Sequence, residues 1–455
     1  MPRVPALIAL AALLAGCSGG GPSGAGLPFT GLPGPRFPVQ PSVPSGKIKH
    51  VVIVVQENRS FNDLFYGYPK AKTAKYGYDT YGNKIALQPV GLETTWDISH
   101  SSYDFIAACN GTGKIPGTHC RNNGFDNEYW GCSKSGYPTC PNQNPPYSYV
   151  PHAETKPYFD IAHQYVLADQ MYASNFDASS FVSHQYIISG QAESAVNYPF
   201  GAWGCPGGSG DQIATVGPKR QVPESYEQVC WDPTTLGDEL DKANVSWAYY
   251  AVSYSGYPGL WSAYQAINHI YNGPDWQKDV ISQPNQFLND VSNGNLRAVS
   301  WVTPTWGDSD HAGSGSKMGP SWVASIVNAV GESKYWNSTA IFIFWDDYGG
   351  WFDPEPPAYA DYDGLGMRIP MLVVSPYAKQ DHVSHVRYEH GSILKFVENQ
   401  FGLGRLAAAD RRANSPAKDC FDFNQTPRKF VPIKSSFDIN FFLRQPPDHH
   451  EPDTQ

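Results

Sequence analysis

Three uninterrupted apolar runs constrain this chain most: HVVIVV at His50–Val55, AIFIFW at Ala340–Trp345 and PMLVVS at Pro370–Ser375. A strand with one face in water alternates apolar and polar residues. A run that is apolar at nearly every position needs cover on both faces, which is the situation of a parallel strand under helices. Helix-like stretches separate and follow the runs, at Tyr158–Tyr165, Thr235–Ala243, Pro320–Val330 and Gly391–Phe401. This alternation predicts an α/β sandwich on a mostly parallel central sheet, with all three runs as buried parallel strands.

Around that framework the sequence is rich in loops. With 43 Gly and 39 Pro among 455 residues and only 16% charged residues, coiled coils and disordered polyelectrolytes are excluded. The stretches 66–150 and 195–235 are dense in Gly, Pro, Tyr and Cys and read as insertions forming a lid or rim. Acidic residues outnumber basic ones 42 to 32, so there is no electrostatic ground for a nucleic-acid partner.

The start, MPRVPALIALAALLAGC, has one basic residue, Arg3, and an apolar run from Val4 to Leu14. That run is well short of the roughly 20 residues that span a bilayer, so residues 1–17 read as an export signal. Leu14-Ala15-Gly16-Cys17 resembles the lipobox of bacterial lipoproteins. The resemblance implies an exported cell-envelope protein, periplasmic or on the outer surface, whose membrane attachment is an acylated Cys17. Residues 18–45 then form a flexible tether, 46–410 one large domain, and 411–455 a surface extension whose His449-His450 pair reads as a solvated end. With Cys17 acylated, Cys109, Cys120, Cys132, Cys140, Cys205, Cys230 and Cys420 remain. Their spacing suits disulfides closing loops in an oxidising compartment, with one thiol left over and no CxxC pair.

Ligand sites in open α/β sheets lie beyond the carboxyl ends of the strands. Here one apolar run continues into Gln56-Glu57-Asn58 and another into Asp346-Asp347, before a turn containing Gly349-Gly350. Ionised carboxylates at the ends of buried strands are costly without a counter-charge, and a divalent cation supplies one.

The blocks HVVIVVQENRSFNDLF, YFDIAHQYVLADQMYAS, SSFVSHQYIISG, WDDYGGWFD, RIPMLVVSPYAK and YEHGSILKFVENQFGL follow one another between about residues 48 and 405. In that order they resemble the bacterial phosphoesterase family, with its acid phosphatase and phosphatidylcholine-type phospholipase C branches, within the alkaline phosphatase-like superfamily. The resemblance implies an alkaline phosphatase-like α/β/α sandwich and a metal-dependent phosphoric ester hydrolase. Glu57, Asn58, Asp346 and Asp347 match metal ligands. Ser180 falls at the position of a nucleophile that also touches the metal, with Ser179 the competing choice. His100, His311 and His390 match residues of the phosphate pocket, and His184 falls behind them. Oxygen ligands suit Ca, Mg or Mn, while the nearby histidines tolerate Zn or Fe.

Other readings of these residues stay open. Ser180 could serve only as a helix cap, His311 could be a loop residue held by Asp308 or Asp310, and His390 could simply begin a helix. Arg59 and Arg368 are assigned to local acids rather than to phosphate. Where many relatives carry a histidine after the acidic turn, this chain has Pro354. The substrate reads first as a small phosphomonoester and alternatively as a phosphatidylcholine-type lipid. For the latter, Trp96, Trp130, Tyr137, Trp203, Tyr254 and Trp261 could cage a quaternary ammonium group. A third reading is an exported binding protein with a structural metal. A sulfatase is disfavoured, because no Cys/Ser-x-Pro-x-Arg motif surrounds Ser180.

Overall fold

The computed structural model describes residues 46–452 except Ser255 and Gly256. The export signal and tether assigned to residues 1–17 and 18–45 lie outside the described residues. Nine strands form the main sheet: β1 (His50–Gln56), β2 (Val166–Tyr172), β3 (Trp247–Ala251), β4 (Val280–Ser282), β5 (Val299–Val302), β6 (Thr339–Trp345), β7 (Arg368–Val374), β8 (His382–Ser384) and β9 (Tyr388–Glu389). Their order is β4-β3-β5-β1-β6-β7-β2-β8, with β9 also on β2.

Central β1 runs parallel to both neighbours, pairing Val51 with Val299 on one side and Ala340 on the other. Val51 to Val55 and every residue of β6 are buried, as β-branched and aromatic runs covered on both faces should be. Each such side chain contributes roughly 1.5–3 kcal/mol by leaving water.

The PMLVVS run is a buried strand, but β7 is antiparallel to β6 and β2, which corrects the expectation of three parallel strands. Burial on both faces sets the apolar pattern, and strand direction does not enter it. β2, β3 and β5 did not stand out in the sequence. Asp169 and Gln170 interrupt β2, β3 (WAYYA) is aromatic rather than aliphatic, and β5 (VSWV) is short.

The covering helices include α1 (His152–Gln164), α2 (Ser180–Ser189), α3 (Leu236–Lys242), α4 (Gly319–Gly331) and α5 (His390–Phe401). They pack in two groups, α1 on α4, and α2 on both α3 and α5. α1 begins earlier than expected and runs through Pro157, with Thr155, Tyr158, Phe159 and Ile161 buried. The two insertions carry short strands and the disulfides Cys109–Cys120, Cys132–Cys140 and Cys205–Cys230; Cys420 is a buried free thiol. Among the described residues no helix is long and apolar enough to cross a membrane.

Candidate active site

Strand direction brings distant residues together. β1, β2, β5, β6 and β9 all point the same way, because the single reversed strand β7 lies between β6 and β2. Their carboxyl ends lead into Glu57 and Asn58 after β1, Ser180 after β2, His311 after β5, Asp346 and Asp347 after β6, and His390 after β9. His100 comes from the first insertion.

Asn58 is the hub. Its backbone sits in the left-handed region at φ 52°, with its N–H donating to Asp346 Oδ1 at 3.2 Å. Its Nδ2 lies 3.0 Å from His100 Nε2, 3.2 Å from Ser180 Oγ and 3.2 Å from Asp347 Oδ2. Two amide hydrogens cannot serve three acceptors at full strength. Asp347 is fixed by the Gly349 N–H, which donates to Oδ1 at 2.7 Å. Gly349 must be glycine: φ is 60°, and a Cβ there would stand 2.2 Å from the Asn58 carbonyl oxygen.

Behind this hub, His184 on α2 approaches Glu57 Oε1 at 2.8 Å and the Tyr249 hydroxyl at 3.3 Å. Ligating atoms of Glu57, His184 and Asp346 lie within 4.8 Å of one another, all buried. Asn58 Oδ1 and Asp346 Oδ2 are buried without a hydrogen-bond partner, as is His390 Nε2. Polar atoms kept dry need a partner, and these oxygens and carboxylates fit a hard or borderline divalent cation.

The two candidate serines differ. Ser179 caps α2 and donates its hydroxyl to Asp177 Oδ2 at 2.8 Å, whereas Ser180 turns its hydroxyl toward Asn58. Burial raises Asp177 to about 6. The Ser180 N–H donates to the Tyr198 hydroxyl at 3.2 Å, and the same hydroxyl lies 3.5 Å from His100 Nε2.

Both pocket histidines are held through Nδ1, His100 by the Ile98 carbonyl at 2.6 Å and His311 by the Ala312 carbonyl at 2.5 Å. A carbonyl only accepts, so Nδ1 carries the hydrogen and Nε2 is the basic nitrogen of the neutral ring. The acids beside His311 do not hold it. Asp310 accepts from Tyr158 and Trp345, and Asp308 from Gln445. His311 instead packs against the indole of Trp306, at 4.7 Å between ring centroids. His390 begins α5 beside Phe344 and Asp346, and does not line the cavity described below. Burial lowers it to about 4, against the pull of Asp346. Arg59 and Arg368 are buried ion-pair partners of Asp63 and Asp353.

A cavity of about 840 Å³ opens beside His311, lined by Trp96, Asp97, Tyr129, Leu260, Trp306 and His450 among others. Among the described residues, the aromatics that could have caged a quaternary ammonium group do not gather, and most serve as ordinary filling of the folded loops. Trp96 lines the cavity, but Trp203 is buried against Phe181 and His184, Trp261 lies buried beneath Trp306, and Tyr137 is 94% exposed. Trp130 lies only partly buried in a small cluster with Trp96 and Trp351, and the Tyr254 side chain is outside the described residues. Sequence reasoning also missed Asp97, Tyr198 and Trp306. Asp97 carried one signal, its place three residues before His100, and its carboxylate lies within 4.8 Å of the His100 and His311 nitrogens.

Carboxylates, an amide, a serine hydroxyl and imidazoles gathered where strands end define a site suited to hydrolytic chemistry on an anionic ester. The profile of the Phosphoesterase family matches residues 48–404. The chain belongs to this family. It is 25% identical over 423 residues to the non-hemolytic phospholipase C of Burkholderia pseudomallei, covering 78% of this chain and 55% of that protein. It is 26% identical over 412 residues to phospholipase C B of Mycobacterium tuberculosis strain H37Rv, covering 78% and 74%. The chain thus spans little more than half of the Burkholderia relative. A solved structure of a Vibrio parahaemolyticus protein in the alkaline phosphatase superfamily is similar at 10% identity and a TM-score of 0.36, covering 79% of this chain and 67% of that one.

Proposed function

We propose that the chain is a metal-dependent phosphoesterase in which Ser180 attacks phosphorus and carries a covalent intermediate. The observation supporting this most is the Ser180 hydroxyl, at the start of a ten-residue buried helix, sharing the Asn58 amide with Asp347 and His100. Glu57, Asn58, Asp346, Asp347 and Ser180 would hold the cation, with His184 steadying Glu57 and His390 beside Asp346. The cation, when bound, lowers the pKa of the serine hydroxyl and neutralises phosphate charge.

The chain's own groups supply the rest. Ser180 gives its hydroxyl proton to His100 Nε2, the basic nitrogen that shares the Asn58 amide with it, as Oγ forms the bond to phosphorus and the bond to the alcohol breaks. The Nε2 of His311, as imidazolium, gives a proton to the leaving oxygen. The neutral ring then accepts a proton from the water that cleaves the seryl phosphate. His100, once protonated at Nε2, and the start of α2 donate to the phosphoryl oxygens. For phosphate to reach the Ser180 N–H, the Tyr198 hydroxyl must yield its place.

A phosphodiester with a cationic head group is better supported than a small phosphomonoester. Two similar proteins bear phospholipase C names, and the cavity is lined by Asp97 and Glu451 together with indole faces. At the other end of the chain, acylation of Cys17 would anchor the enzyme to the bacterial envelope, and the three disulfides suit that oxidising location.

The test is a two-substrate assay, p-nitrophenyl phosphate against p-nitrophenyl phosphorylcholine, on chelator-treated protein resupplied with single divalent metals. Metal-restored cleavage of the phosphorylcholine ester is expected. Cleavage of the monoester alone returns the reading to a phosphatase, and undiminished activity after chelation removes the metal.

A further inference from the structure

The last described residues do not trail into solvent as a surface extension would. Gln283 and Asp448 pair twice: Gln283 Nε2 donates to the Asp448 carbonyl, and the Asp448 N–H donates to Gln283 Oε1, each at 2.9 Å. One Asp448 carboxylate oxygen accepts the Trp306 backbone N–H at 2.9 Å, and the other meets the His450 ring at 2.5 Å. The His450 carbonyl accepts from the Leu260 N–H at 3.3 Å, and Gln445 donates to Asp308 at 2.8 Å. The His450 ring stacks on Trp306 at 5.8 Å, and Trp306 packs on His311 at 4.7 Å. This column of rings leads from the strap to the candidate site, and His450, Glu451 and Pro452 line the cavity.

We propose that this strap, Gln445–Pro452, determines which phosphoester the site accepts, by forming the wall that meets the group esterified to the phosphate. The inference rests on the phosphoester reading above and adds specificity residues outside the 48–404 family match. Asp448 is the positioning residue, because it fixes both Trp306 and His450. Glu451 supplies charge: it and Asp97 are carboxylates lining the cavity, which His311 and His450 also line. Two carboxylates beside the faces of Trp96 and Trp306 favour a cationic substituent and oppose a second anion. The strap's contacts span more than a hundred residues of sequence, so this wall exists only once the domain has folded.

The experiment compares wild type with Asp448→Ala, Asp448→Asn and Glu451→Gln in the full chain. It reads the ratio of kcat/KM for p-nitrophenyl phosphorylcholine over p-nitrophenyl phosphate, and by calorimetry the ratio of dissociation constants for phosphorylcholine and inorganic phosphate. In Asp448→Ala and Glu451→Gln the preference for the choline compound should fall by about tenfold, through KM rather than kcat. Asp448→Asn keeps an oxygen for the Trp306 N–H and should recover most of the loss. Ratios within about twofold of wild type in both measurements overturn the proposal, whatever happens to melting temperature, since a merely stabilising strap would not change selectivity. If wild type cleaves neither ester the hydrolytic reading fails, and the calorimetric ratio still decides the strap.

Discussion

The inner end of the sheet and the outer rim of the cavity are built by different means. At the inner end, Glu57, Asn58, Ser180, Asp346 and Asp347 are at most 1% exposed and sit on or next to regular elements that start or end there. At the rim, the wall comes from an insertion, a turn after β5 and the strap, and His450 retains a side chain 53% exposed. A close-packed core of buried strands tolerates little change, whereas loops vary without unfolding the sheet. On the proposed reading Ser180 and the residues that would hold the cation lie at the inner end, His311 joins that end to the rim, and the strap meets the ester's substituent.

The largest effect is expected where that division is sharpest. Ser180→Ala should lower turnover of any accepted ester by about 10⁴-fold or more, with metal content by elemental analysis close to wild type. Retention of substantial activity would move the nucleophile elsewhere, with Ser179 the nearest alternative.

Next comes Gly349→Ala. Its backbone conformation and the Asn58 carbonyl 2.2 Å from the new Cβ should cost about 1–3 kcal/mol and lower the melting temperature by several degrees. Because the obstructed atom belongs to the hub residue, turnover should fall as well. A variant equal to wild type in both would show that the acidic turn does not hold Asn58.

A smaller effect concerns pH. Burial raises Asp310 to about 6, against its Tyr158 hydrogen bond and the nearby Arg59. A carboxyl whose folded-state pKa exceeds the unfolded value near 4 binds its proton more tightly when folded. Its contribution is therefore complete below about pH 4 and is lost as pH rises through about 6. Asp310→Asn should flatten the pH dependence of chemical denaturation between about 4 and 6, by of order 1–2 kcal/mol. An unchanged pH profile would mean that Asp310 is ionised across that window.

How much of this was legible in the sequence follows the same division. β1 and β6 could be read because Val51–Val55 and Ala340–Trp345 are apolar at every position, and the acidic residues that follow mark the strand ends. Residues Glu57, Asn58, Asp346 and Asp347 were singled out on that basis and by resemblance to the family, and the structure brings them together with Ser180. β2 was obscured because Asp169, buried within it, accepts the Lys72 N–H and faces His385, interrupting the apolar run. The reversal of β7 was invisible, since a strand covered on both faces has the same composition in either direction.

The rim was the least legible part. Trp306 gains its role from His311 on one side and His450 on the other, and Asp448 holds Trp306 from 142 residues away in sequence. No local pattern encodes such a contact. The sequence Pro-Pro-Asp-His-His looks like a loop whether it floats or docks. Tyr137 shows the converse, an aromatic residue that stands in water rather than in a cage.

The decisive measurement is to trap the covalent species. Protein incubated with p-nitrophenyl phosphorylcholine should be quenched in acid within one turnover, digested, and its peptides sequenced by mass spectrometry. The phosphorylcholine moiety should appear on the peptide containing Ser180, at Ser180 itself, and be absent after chelation. Rapid hydrolysis with no modified peptide, or the label on a histidine or on Ser179, would contradict nucleophilic attack by Ser180.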